Sequence, residues 1–370
     1  ATGSRATAMV TFSVLSYNVL HGFGAARLLR GRAAAVGATW PQERILRAAE
    51  LVERLRPDVA CLQEVDEATQ AVFSRVLGKD FDCAASMRNE QLPPKDGCAV
   101  YVRKSRFELV RAQQFRLRDT IEQHCGGLDA ASGSGAGMAA AFWRELREKL
   151  NLGLALRLRP LLDSSQGSLP STAPELCVAT SHLFWDPAYP DLKLLQAFLL
   201  ARELECFAEG LPLVLAGDFN STPLTEDGGD YSGVYALLTH GSVLPSHRHH
   251  PATLRQSRGI LAGVAAGDVP DLRLQVPFRS AYLDVHGTEG PITNATQDFR
   301  GCLDYILYRG SVGDAGPGLD RVSGAEGRGL RVISAKALPT EEELLAHLPL
   351  PSAEHPSDHL PLAAEFELHV

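Results

Sequence analysis

The sequence predicts an α/β protein, and two observations carry that prediction. Short apolar runs recur along the 370 residues, separated by stretches with helical spacing of apolar positions. Those runs repeatedly end or begin on an acid, a carboxamide or a histidine, which places polar chemistry at strand tips.

The most informative run is Leu213-Val214-Leu215-Ala216-Gly217-Asp218-Phe219-Asn220, closed by Pro223. It is short, apolar and bounded by breakers, so it reads as a buried strand. Asp218 and Asn220 stand two apart, and in extended chain such residues share a face. A carboxylate beside a carboxamide suits a hard cation or the orientation of an attacking water. An ordinary Asx turn would use the same residues, so the rest of the chain has to decide.

Phe12 to Asn18 alternates and reads as a strand ending on Asn18. Residues 21–39, rich in Gly, Ala and Arg, read as a mobile loop. Pro41 near a first turn starts a helix with an apolar face of Ile45, Leu46, Ala49, Val52 and Leu55. Val59 to Glu64 is the next strand, with Glu64 at its tip, where a carboxylate closing a buried strand needs a partner or a metal. Gly97 to Val102 is a strand, with Phe107 to Val110 expected beside it. The basic residues Arg103, Lys104 and Arg106 between them read as a solvated turn. Residues 125–139 and 163–174 read as loops, separated by a helix over Phe142–Leu150 and a strand over Leu152–Leu158. Leu176 to His182 is another polar-tipped strand, and a helix with Leu194, Leu195, Phe198 and Leu199 on one face leads into the Asp218 strand. Tyr235–Leu238 is a helical turn. His247, Arg248, His249 and His250 read as a solvated loop, because no second ligand set at ordered spacing accompanies them. Residues 251–270 read as loop and weak helix, and Asp304 opens a strand running to Tyr308. The loop 310–328 precedes a short helix at Glu341–Glu343, and Asp358-His359 leads into the last strand.

A net charge of −8 argues against general electrostatic binding of nucleic acid. A phosphate substrate stays open, because a bound divalent cation inverts the local field. Seven cysteines without a CxxC pair point to reduced thiols and an intracellular protein, cytoplasmic or, behind a removed leader, mitochondrial. No apolar stretch is long enough to span a bilayer, so no membrane partner is expected.

Asn18, Glu64, His182, Asp218, Asn220, Asp304, Asp358 and His359 all lie at or beside predicted strand ends, and two sheets packed face to face would gather them at one rim. No nucleophile elbow, Walker loop or dinucleotide fingerprint is present. Carboxylates without thiolates favour Mg²⁺, with Mn²⁺ as the alternative, and fit metal-assisted hydrolysis of a phosphoester.

Ser16-Tyr17-Asn18, Leu62-Gln63-Glu64-Val65, Ser181-His182-Leu183, Gly217-Asp218-Phe219-Asn220-Ser221, Leu303-Asp304-Tyr305 and Ser357-Asp358-His359 together resemble the motifs of the endonuclease/exonuclease/phosphatase superfamily, in its order. The stretch Trp185 to Leu194 is similar to one in the poly(A)-specific deadenylases. Gly217–Pro223 and Ala337–His359 look closest to 2′-phosphodiesterase of the same branch. The resemblance implies a four-layer α/β sandwich of two mixed β-sheets flanked by helices, one domain over 1–370 with loop insertions near 125–139, 251–270 and 310–328. It implies that Glu64 holds Mg²⁺ with Asn18 and Asp358 nearby, and that Asp218 and Asn220 activate or orient water. His359, held by Asp304, would contact the scissile phosphate, and His182 would stabilise its developing charge. Pro187, Phe299 and Asn220 would contact the adenine base. The implied activity is a 3′–5′ exoribonuclease acting as a monomer on RNA with 3′ adenylates. The alternatives are cleavage of 2′,5′-oligoadenylate, a nocturnin-like dinucleotide phosphatase, and an inactive RNA-binding module. No leucine-rich repeat is seen before the nuclease motifs, so docking to the large mRNA-decay complex is not expected.

Overall fold

The computed structural model describes residues 9–28, 40–87, 95–125, 136–161, 175–257, 264–311 and 329–369. The expected loop at 163–174 lies outside these residues, as do most of the expected loops at 125–139 and 310–328. In chain order the first sheet takes β1 (Met9–Asn18), β2 (Val59–Asp66), β3 (Phe81–Met87) and β4 (Asp96–Arg103). The second takes β5 (Phe107–Arg116), β6 (Leu152–Pro160), β7 (Leu176–His182), β8 (Leu213–Asp218) and the short β9 (Arg279–Ser280). A small hairpin, β10 (Asn294–Ala295) with β11 (Arg300–Gly301), precedes β12 (Asp304–Arg309) of the second sheet. β13 (Leu330–Ala335) and β14 (Leu362–His369) return to the first. The strand orders are β13-β14-β1-β2-β4-β3 and β5-β6-β7-β8-β12-β9. Both sheets are mixed, since β1–β2 and β7–β8 are parallel and the other pairs antiparallel.

Side chains alternate across a strand, and here the alternation divides the core into layers. Phe12, Val14, Val59, Cys61, Val178, Val214, Ala216 and Ile306 face the space between the sheets. Leu15, Tyr17, Ala60 and Leu62 face out and meet the helices Trp40–Leu55 and Glu67–Leu77. Leu213, Leu215, Tyr305 and Leu307 face out on the other side, toward the long helix Pro190–Ala208. The result is helix, sheet, sheet, helix, the expected four-layer sandwich.

Several expectations are corrected. Part of the 21–39 loop is a helix, Gly22–Leu28, while 29–39 lies outside the described residues. The helix expected from Phe142 starts earlier, at Ala136. Phe107–Val110 does not lie beside β4: it pairs with β6 in the other sheet, and β4 pairs with β2 and β3. The β4–β5 connection is therefore a crossing between sheets. Its basic turn is tied down, with Arg103 and Arg106 on Asp58 and Lys104 donating to the Gly78 carbonyl at 2.9 Å. The histidine cluster is no solvated loop. His249 and His250 are buried, and His249 Nδ1 accepts the Gly233 N–H at 3.1 Å. The helix Pro251–Ser257 follows it, with Arg255 bound to Asp191 and Glu145.

Candidate active site

The inward parity of the strands determines what the site contains. Following Val14, the positions Ser16 and Asn18 also face inward; following Val178, so do Thr180 and His182. Below the site Gln63 Nε2 bridges the sheets, donating to Thr180 Oγ1 at 2.9 Å. The apolar interlayer thus gives way first to a polar floor and then to the acids and histidines. In the second sheet the register aligns His182 with Asp218 across β7–β8, and Asp218 with Asp304 across β8–β12. Three neighbouring strands therefore place these side chains in one row. Gly217 is required there, because a Cβ at that position would stand 2.3 Å from the Ser181 carbonyl oxygen.

Glu64 reaches the site by a different device. A regular β2 would send it outward with Leu62. Instead the β2–β4 register shifts between Gln63 and Val65, and Glu64 takes a left-handed backbone with φ 57°. This is a bulge that re-aims one side chain, and the strand continues past it to Asp66. The expectation that Glu64 caps the strand tip is corrected accordingly. Asn220 also has a left-handed backbone, φ 48°, just past β8.

The side chains form one network. Asn18 Nδ2 donates to Glu64 Oε1 at 3.1 Å and to Asp218 Oδ2 at 3.0 Å, joining the two sheets. Asp218 Oδ1 accepts the Asn220 N–H at 2.9 Å. His359 Nδ1 lies 2.8 Å from Asp304 Oδ2. His359 Nε2 and His182 Nε2 lie 3.6 and 3.5 Å from Asp218 Oδ2. Asp358 Oδ2 accepts from Asn294 Nδ2 at 3.3 Å. Pro187 and Phe299 are exposed on loops; Phe299 sits in the turn of the β10–β11 hairpin, whose Asn294 bridges to His359.

Charge is balanced tightly here. Burial opposes the imidazolium of His359, and Asp304, Asp218 and Asp358 overcome it, holding that histidine well above its usual range. Burial raises the Asp218 carboxyl against the pull of His359, and Asp304 adds to the rise. Burial also raises Asp358, with Glu64 adding to it. Glu64 goes the other way: burial opposes its charge, but contacts from His21, His182 and Asn18 hold it well below the carboxylate range.

His21 is a site residue that the strand pattern did not reveal. Its Nδ1 hydrogen-bonds Glu64 Oε2, and its backbone N–H donates to the same oxygen at 3.2 Å. It lies beyond the end of β1, where period-two reasoning stops; its place three residues after Asn18 was the available signal. Lys193 is a second, a buried lysine whose amine donates to the Asn220 carbonyl at 2.6 Å.

The residues fit a divalent cation. Asp218, Asp304 and His359 each offer a ligand atom within 4.8 Å of the others, the one such group of His, Cys, Asp and Glu among the described residues. Asp304 Oδ1 is buried with no hydrogen-bond partner. An orphaned buried acceptor costs about 1–3 kcal/mol, and a hard cation is the kind of ligand that satisfies it.

With this geometry the chain matches the endonuclease/exonuclease/phosphatase family over residues 15–359, and it belongs to that family of hydrolases. Its relatives include phosphodiesterases. It is 28% identical to human 2′,5′-phosphodiesterase 12 over 84% of this chain and 43% of that protein. It is 28% identical to the Xenopus laevis CCR4-NOT transcription complex subunit 6-like-B over 97% of this chain and 64% of that protein. The chain thus spans less than two thirds of either relative. A crystal structure of ANGEL2, described as a 2′,3′-cyclic phosphatase, is 25% identical with a TM-score of 0.66, covering 100% of both chains. No helix among the described residues is long and apolar enough to cross a membrane.

Proposed function

We propose that this chain is a divalent-cation-dependent phosphodiesterase that removes nucleotides from the 3′ end of adenylate RNA, acting as a monomer. The observation that carries the reading is the network in which Asn18 links Glu64 to Asp218, with His182, Asp304 and His359 closing around Asp218. In-line attack on a phosphodiester chiefly needs positioning and charge neutralisation. Asp218, oriented by Asn18 and the Asn220 N–H, accepts the proton of the attacking water. His359, charged and held by Asp304, donates to a phosphoryl oxygen, and His182 stabilises charge on its other side. As the resemblance implies, Glu64 would hold the cation, Mg²⁺ or Mn²⁺, with Asn18 and Asp358 beside it, a place distinct from the Asp218, Asp304 and His359 group whose ligand atoms converge. When bound, the cation neutralises the phosphoryl oxygens and polarises the ester.

Adenylate selection rests on the resemblance of Trp185–Leu194 to deadenylases and on exposed rings beside the site. Trp185 is 60% exposed and Phe299 38%. Unstacked bases bind to rings of this kind. A second reading, cleavage of 2′,5′-linked oligoadenylate, is favoured by the 28% identity to 2′,5′-phosphodiesterase 12. Oligo(A), oligo(U) and 2′,5′-oligo(A), each assayed with Mg²⁺ and with EDTA, separate the two. Shortening of oligo(A) ahead of the others, abolished by EDTA, is the expected outcome. Turnover that survives EDTA, or a preference for oligo(U), refutes the proposal.

A further inference from the structure

We propose that Thr293 is a positioning residue for the hydrolysis: its hydroxyl fixes the rotation of the Asp304 carboxylate, and so holds His359 with Nδ1 on Asp304 and Nε2 toward Asp218. The inference rests on the cation-dependent reading above and assigns a residue outside it.

The argument begins with the backbone. Thr293 stands at the root of the β10–β11 hairpin, just before Asn294, and is fully buried. Its N–H donates to the Gly301 carbonyl at 2.9 Å, and its carbonyl accepts the Leu360 N–H at 2.7 Å. Two residues on, the Ala295 N–H donates to the Asp358 carbonyl at 2.9 Å, and Asn294 between them bridges to His359. Main-chain bonds therefore fix Thr293 both to the segment leading into Asp304 and to the segment carrying Asp358 and His359.

A threonine hydroxyl has one proton to donate and two lone pairs that accept. Here Oγ1 accepts the Leu303 N–H at 2.9 Å and the Asp304 N–H at 3.1 Å. With both lone pairs occupied, the proton has one direction left, and it goes to Asp304 Oδ2 at 2.6 Å. That is the same oxygen on which His359 Nδ1 lies at 2.8 Å. The other oxygen, Oδ1, has no hydrogen-bond partner. The last torsion of an aspartate is broad and roughly two-fold, so the backbone alone does not select which oxygen faces the imidazole. A donor whose direction is itself fixed does select it. His359 Nε2 is then left pointing to Asp218, 3.6 Å from Oδ2. The competing role, in which Thr293 only satisfies two buried N–H groups, would affect stability and leave the imidazole unmoved.

The test compares wild type with Thr293→Val and Thr293→Ser, with melting curves to confirm folding; Thr293→Ala takes the place of Thr293→Val if the latter does not fold. Proton NMR reads the His359 Nδ1–H directly, as the low-field resonance that is absent from Asp304→Asn. It should be lost or shifted in Thr293→Val and kept in Thr293→Ser. Turnover of oligo(A) with Mg²⁺ should fall by about 10–100-fold in Thr293→Val, the worth of one hydrogen bond to a charged group, while KM stays within about twofold. A phosphodiester carrying no base should lose as much, and Thr293→Ser should stay within about threefold of wild type. In an Asp304→Asn background, adding Thr293→Val should cost no more than about twofold, because Thr293 acts through Asp304. A Thr293→Val protein that melts earlier with its resonance and kcat unmoved overturns the inference. So does a full-sized loss on adding Thr293→Val to Asp304→Asn. Wild type without cation-dependent turnover refutes the cation-dependent reading itself, and the resonance then still decides whether Thr293 fixes the Asp304–His359 pair.

Discussion

Lys193 shows how much a single residue can be asked to do in this site. Its amine is buried on the Asn220 carbonyl, and burial lowers it to about 8, with Asp218, Asp186 and Glu226 pulling the other way. A lysine depressed in the folded state leaves the unfolded chain holding the extra proton between about pH 8 and its ordinary 10.5. Stability must then rise with pH across that window, by about 3 kcal/mol at most. Lys193→Met should abolish this rise. Denaturant unfolding of both proteins at pH 7.5 and pH 10 checks it: the stability gap between variant and wild type should be wide at the lower pH and narrow at the higher. A gap that does not move would mean that Lys193 is not desolvated. At this scale the sequence was legible where a residue continued a strand's parity, as for Asn18, His182, Asp218 and Asp304. It was silent on Glu64's bulge, because φ leaves no mark on apolar periodicity, and on His21, which stands in a turn.

Elements with a strong central pattern were legible for the same reason. β7 and β8 are buried on both faces and appear as continuous apolar runs. β3 and β13 are edge strands with largely exposed or half-buried positions, and no reading of alternation found them. The partner of β5 was misassigned because sequence adjacency favours a hairpin, whereas this chain crosses between sheets there. The β10–β11 hairpin is the element that best separates fold from recognition. Its turn is closed by Thr296, whose N–H donates to Phe299 O at 2.8 Å while its hydroxyl accepts the Phe299 N–H at 3.1 Å. A Cβ at Gly301 would stand 2.8 Å from the Phe299 ring, so the ring's place depends on that glycine. Phe299→Ala should weaken oligo(A) cleavage by about tenfold to a hundredfold, the worth of one stacked base. A phosphodiester carrying no base should be hydrolysed as before. Gly301→Ala should share this phenotype in milder form. Steady-state kinetics on the two substrates decides it, and equal losses on both would make Phe299 a structural residue.

Across the whole molecule, the site is a seam. Glu64 and Asn18 come from the first sheet, and His182, Asp218 and Asp304 from the second, with the Asn18–Asp218 hydrogen bond crossing between them. Gathering buried acids at such a seam costs stability, which an active site tolerates and a structural core would not. Asp218 is the sharpest instance, because burial and the charge of Asp304 both raise its carboxyl. A carboxyl raised on folding contributes stability that is complete below the ordinary carboxylate pKa and lost as pH rises through the folded value. Asp218→Asn removes that loss. The variant should melt above wild type when cations are absent, and its advantage should widen from pH 4 toward neutrality. Its turnover should fall by about 10²–10⁴-fold, as expected when a general base is removed. On the cation-dependent reading, Mg²⁺ or Mn²⁺ added to wild type should neutralise the acids directly. At one hundred times the dissociation constant that is worth about 2.7 kcal/mol, or a rise of about 3–5 °C for a chain of this length. The same addition should move Asp218→Asn less. Calorimetric scans of the two proteins, with and without the cation, test each part. An Asp218→Asn variant that melts below wild type without cation would show that the carboxylate is held by its partners at no cost, and that the seam is not strained by charge.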